Sequence, residues 1–127
     1  MGSYSDPYLK ITCGENVFNE RKNYQLNTLS PHINKLFKFN ASFPGSPSIM
    51  IECYDYDDLF GDDMIGKTYI DMDDRFFNPN WQRLEEKPIE YRQIYHYSSS
   101  LSQGTLSMWL EIDEVQKGMP ESKDWQL

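Results

Sequence analysis

The sequence predicts an all-β domain, an antiparallel sandwich, and three observations carry that reading. Aromatic residues make up 15% of the 127 residues, and with Val and Ile they gather into short runs, the composition of strands rather than helices. Within those runs apolar and polar residues alternate, the period of a half-buried strand. Turn signals separate the runs at the spacing of an antiparallel sandwich. A chain of this length makes one domain with a single core that needs no covalent staples.

In chain order, Tyr8–Cys13 is the first strand, closed by Gly14. Asn23–Leu26 and Leu36–Phe39 are the second and third. After the turn Phe43–Pro47, Ile49–Tyr54 is a fourth strand, apolar enough to be central. Ile65–Met72, Ile89–Tyr95 and Thr105–Ile112 complete the set of seven. Between them, Asn78 and Pro79 open a short helix running to Leu84, as N-cap and first helical residue. Ser98–Gly104 connects the last two strands. The domain is expected over residues 1–115. From 116 to 127 the alternation stops and Gly, Pro and charge take over, the composition of a linker.

Net charge is −8. That balance excludes nucleic acid, whose phosphates demand a basic footprint. It also opposes simple electrostatic binding to anionic lipid, unless a bound cation reverses the local sign. No apolar run is long enough to cross a bilayer and no signal-peptide pattern opens the chain, so a soluble, cytosolic domain is expected. Cys13 and Cys53, inside apolar runs, read as reduced core thiols. The sequon at Asn40 would stay unmodified in such a compartment. His32 and His96 have no cysteine partners at zinc spacing. There is no nucleophile elbow and no Gly-rich phosphate loop. An enzyme is not expected.

Between Asp55 and Asp63, five carboxylates fall within nine residues, directly after the central strand. Side chains alternate along an extended chain, so Asp55 and Asp57 are expected to point the same way. Two carboxylates about 4 Å apart repel by about 4 kcal/mol at an effective dielectric near 20. A loop that gathers them calls for a cation. Hard oxygen donors select calcium or magnesium, and calcium's flexible coordination suits a loop better. An acidic run alone is as readily a solvated turn. An EF-hand is excluded, because Leu59 and Phe60 stand where an oxygen ligand and a glycine are needed.

The cluster has companions. Ser5-Asp6-Pro7-Tyr8 opens the first strand, and Asn27-Thr28-Leu29-Ser30-Pro31 precedes the third. With Asp55-Tyr56-Asp57 and Asp63-Met64-Ile65-Gly66, these motifs resemble the landmarks of the C2 domain, in order and spacing, over residues 5–115. Ile70–Phe76, Pro88–Arg92 and Gly104–Ile112 more narrowly resemble C2 domains of the ferlins, and Pro120 with Asp124-Trp125 resembles the ferlin linker toward a next C2 domain.

That resemblance implies an eight-stranded-type Greek-key sandwich whose first strand, with a further aspartate, is absent from this sequence. It implies calcium ligands at Asp6, Asp55, Asp57 and Asp63, with a backbone oxygen of Tyr56. Asp58 and Asp62 are left without a role. Leu59 and Phe60, at the loop tip, are expected to enter the lipid headgroup zone, the alternative being a pair folded back onto the sandwich end. Arg21, Lys22, Lys35 and Lys38 are candidates to touch phosphoinositide headgroups, or plain solvated residues. The implied function is calcium-dependent phospholipid binding in vesicle fusion or membrane repair. The module would be cytoplasmic and peripheral, in a tail-anchored parent. The alternative is a calcium-independent module that binds a protein partner or neighbouring C2 domains. An unfilled strand position would also invite a strand-exchanged dimer.

Overall fold

A computed structural model describes residues 5–114. In order these form β1 (Pro7–Cys13), β2 (Asn16–Asn19), a one-turn 3-10 helix (Arg21–Asn23), β3 (Ile49–Asp55), β4 (Asp63–Ile70), α1 (Met72–Phe76), α2 (Pro79–Arg83), β5 (Glu90–Tyr95) and β6 (Ser102–Met108). The expected linker at 116–127 lies outside the described residues.

All strand pairs are antiparallel, in the order β2-β1-β3-β4-β5-β6. The apolar run at Ile49 is central as expected, β1 on one side and β4 on the other. One face of this ladder carries Leu9, Ile11 and Cys13 from β1, Ile49 and Ile51 from β3 and Ile70 from β4, all buried, with Met72 of α1. Every second residue points to that face, which is why alternation located these strands.

Between β4 and β5 the sheet is joined by the single pair Lys67↔Tyr95. The β5–β6 hairpin thereby turns over the core, and Leu106 and Met108 of β6, with Leu110 and Ile112 beyond it, pack on the same buried cluster. Gly66 makes this crossing possible. A Cβ there would meet the backbone of Ile94 and Tyr95 at 3.1 Å. The rest of the second layer is irregular: Ile33, Phe37, Phe39 and Phe43 cover the core from a segment without strand pairing.

Two expected strands are therefore different. Gly14, at φ 58°, turns the chain so tightly that β1's partner begins at Asn16, opposite Cys13. The chain must then turn again, and Asn23–Leu26 goes into the end of the 3-10 turn and an irregular stretch after it. Leu36–Phe39 has the alternation but no ladder partner among the described residues. The last strand also lies earlier, over Ser102–Met108 rather than Thr105–Ile112.

The short helix at 79–83 forms as expected. The Asn78 side chain accepts from the amides of Asn80 (3.0 Å) and Trp81 (3.2 Å). At its other end the Lys87 ammonium donates to the carbonyls of Trp81 (2.8 Å) and Leu84 (2.7 Å) and lies 4.3 Å from the Trp81 ring centroid. Helix α1 was not expected. Asp71 caps it, accepting from the amides of Asp73 and Asp74, and Asp73 in turn accepts from the amides of Gly45 and Ser46.

Both cysteines are free thiols. Cys53 pairs in register with Leu9, and Cys13 is four residues further along β1, a distance of roughly 13 Å that no disulfide spans. Burial pushes the Cys53 thiol up to about 11 and the Cys13 thiol up as well, so both stay protonated and unreactive near neutrality.

Candidate functional site at the β3–β4 loop

The acidic loop, residues 56–62, leaves the central strand at one end of the sheet. Its base is tied to the start of β1. The Asp6 amide donates to Asp55 Oδ1 (2.9 Å), the Tyr56 amide to the Asp6 carbonyl (2.9 Å) and the Asn27 amide to Asp6 Oδ1 (2.6 Å). Asp63 opens β4 directly opposite Asp55. Four of the expected ligand positions, Asp6, Asp55, Tyr56 and Asp63, therefore share one end of the sheet.

Asp57 shapes the loop itself. Its Oδ1 accepts from the amides of Leu59 (2.9 Å) and Phe60 (3.0 Å), an Asx-type turn that closes the tip. Gly61 comes next at φ 87°, a left-handed conformation that glycine adopts without steric cost. The result is a fixed tip with Leu59 85% and Phe60 89% exposed. These side chains are not folded back onto the sheet end.

Asp62 is the hub that sequence reasoning missed. It accepts from Arg21 Nε (2.8 Å), from the Asp57 amide (2.9 Å) and from the Tyr8 hydroxyl. The Arg21 guanidinium, ahead of the Asp57 amide and the Tyr8 hydroxyl, holds the Asp62 carboxyl well below the usual carboxylate range. Burial first, then the Asp62 hydrogen bond, raises the Tyr8 phenol above its ordinary value. Arg21 also reaches Asp58 at 3.8 Å and lies 4.4 Å from the Tyr56 ring centroid, and Tyr56 stacks on Tyr24 at 3.8 Å. Far from waiting on an open face for a headgroup, Arg21 is bound into the acidic loop. The available signal was the Asp62-Asp63 doublet at a strand entry. Period two sends neighbours to opposite sides, so only one of the two can join Asp55.

In kind, these donors suit calcium: aspartate oxygens with a backbone carbonyl nearby. In place they do not form a cage. Among the described residues no three acidic, histidine or cysteine side chains are grouped to hold a metal, and Oδ1 atoms of Asp6, Asp55 and Asp57 hold backbone amides instead. No helix among the described residues is long and apolar enough to cross a membrane.

An antiparallel β-domain with an aspartate-rich loop at one end is the architecture of the C2 domain, and the C2 family profile matches residues 1–89. The chain belongs to the C2 domain family. Ferlins are among its relatives. It is 37% identical over 73 residues to myoferlin of Homo sapiens, a match covering 58% of this chain and 4% of that protein. It is 28% identical over 123 residues to Ferlin 2 of Toxoplasma gondii, covering 88% of this chain and 8% of that protein. Fer-1-like protein 4 of Mus musculus is 28% identical over 74 residues, 58% of this chain and 4% of that protein. The chain thus spans a small fraction of the relatives it matches. No solved structure matches it significantly.

Proposed function

We propose that this C2 domain docks onto anionic phospholipid membranes through the β3–β4 loop in a calcium-dependent manner, as a cytoplasmic, peripheral module of a tail-anchored ferlin-like fusion or repair protein. The observation that supports it is the tip: two large apolar side chains, Leu59 and Phe60, held outward by a hydrogen-bonded turn. An ordered apolar tip enters a headgroup layer without having to be ordered on arrival. Burial of each side chain contributes up to about 1.5–3 kcal/mol.

Calcium dependence is argued from charge and donor chemistry. An acidic loop end on a chain of net charge −8 repels anionic headgroups. The chemistry that calcium supplies when bound is neutralisation of that end, with Asp6, Asp55, Asp57 and Asp63 and the Tyr56 carbonyl as its ligands. A second reading is a calcium-independent module that binds neighbouring C2 domains or another protein. It is favoured by Arg21, already paired within the loop, and by β6, which among the described residues ends the sheet with an edge suited to strand addition or exchange.

Sedimentation with phosphatidylserine vesicles tests the proposal. The wild-type chain should pellet in calcium and remain in the supernatant in chelator, and Leu59→Ser/Phe60→Ser should lose binding by at least about tenfold, the equivalent of 1.4 kcal/mol. Pelleting in chelator would remove the calcium requirement. No pelleting in either condition would leave the protein-binding reading.

A further inference from the structure

The loop end presents a discrepancy between its composition and its geometry. Five carboxylates in nine residues ask for a cation, yet the loop is closed by its own hydrogen bonds. The cation that meets it is Arg21, carried by the 3-10 turn after β2. Its Nε and Nη2 contact the two oxygens of Asp62 at 2.8 and 3.3 Å, the planar fork geometry that a point charge lacks. Through Asp62 the effect reaches the tip: Asp62 Oδ1 accepts the Asp57 amide, and Asp57 Oδ1 accepts the amides of Leu59 and Phe60.

We infer that Arg21 is the resident cation of the loop end: through Asp62 and Asp57 it holds Leu59 and Phe60 in their presented position with no metal bound. Arg21 is a positioning residue. Its side chain contacts Asp62, Asp58 and Tyr56, and it acts on the tip through two carboxylates. The role is distinct from membrane docking and is read without vesicles. It also sets the division of labour at this end. Metal is not needed to build the tip, only to change the charge around it.

Hydrogen exchange of the Asp57, Leu59 and Phe60 amides, monitored by NMR on the 127-residue chain, tests this. In chelator the wild type should protect all three, and millimolar calcium should change that protection less than about twofold. Arg21→Gln should lose protection at least about fivefold in chelator. Arg21→Lys should fall between, keeping the charge without the fork. Amides of Leu9 and Ile51 report that the sheet is intact. If the Gln variant does not fold, Asp62→Asn severs the same link and should show the same loss.

Unchanged protection in Arg21→Gln, or wild-type protection that appears only with calcium, would overturn the inference. So would a loss in Arg21→Lys as large as in Arg21→Gln, which would show that a cation at this position is not what holds the tip. Vesicle binding decides the docking proposal separately, because a loop held by Arg21 is compatible with either lipid result.

Discussion

At the scale of single residues, Asp62 concentrates the physics of the loop. Three residues donate to one carboxylate, Arg21 through two nitrogens, and each stabilises its charged form. Its folded pKa is therefore lowered, which fixes the sign of its pH dependence. The contribution to stability is fully present above the unfolded carboxylate value of about 3.9 and disappears only as pH falls through the lower folded value. The Asp62 carboxyl carbon should accordingly keep its NMR shift from about pH 7 to about 3.5, a range over which an unperturbed carboxylate titrates. A midpoint near 4 would mean that the Arg21 fork does not persist in solution. Residue chemistry also shows where reading the sequence stopped. Spacing along the chain joined only Asp55 and Asp57; Asp6 and Asp63 were added to them by the resemblance to C2 motifs. The partner of Asp62 was not, because Arg21 lies 41 residues away and nothing local marks it.

At the scale of elements, legibility tracked backbone pairing. β1, β3 and β4 were readable because each buries one face and therefore alternates, whereas β5, expected over Ile89–Tyr95, buries only Ile94. Leu36–Phe39 alternates too, and packs Phe37 and Phe39 on the core, but a strand needs a hydrogen-bonding neighbour and a side-chain pattern does not supply one. Helix α1 was hidden inside a run that began as strand. Its capping residue, Asp71, with amides at 73 and 74 to satisfy, was the legible sign. The most restrictive position lies at the β4–β5 crossing. Gly66→Ala would force a methyl to within 3.1 Å of the Ile94 and Tyr95 backbone, where no side chain can move aside. Such overpacking typically costs about 1–3 kcal/mol, so thermal unfolding should shift down by several degrees, about 4–8 °C per kcal/mol for a domain of up to 100 residues and somewhat less here. An unchanged melting temperature would show that the hairpin slides freely over β4.

For the molecule as a whole, the ladders divide unequally. β1, β3 and β4 share two long registers of six and seven residue pairs. The β5–β6 hairpin has its own ladder but is joined to the rest through one pair and by side chains packed on the core. Cooperative units of exchange respect such divisions. Amides of β5 and β6 should therefore exchange by a smaller opening, and at lower denaturant, than those of β1 and β3. One common denaturant dependence for both groups would show that the core couples them fully. The loop end belongs with the more firmly paired unit, since its anchors Tyr8, Asp55 and Asp63 all lie on β1, β3 and β4.

The bonds that Asp62 makes to Arg21 and Tyr8 close chain loops of 41 and 54 residues. Closures of that length carry an entropic cost that is offset only once the intervening strands have paired. The presented loop tip is consequently a late product of folding: a chain still assembling its sheet has the residues Leu59 and Phe60 but not the shape that presents them. If the tip docks as proposed, a misassembled copy would lack the surface that carries it to a bilayer.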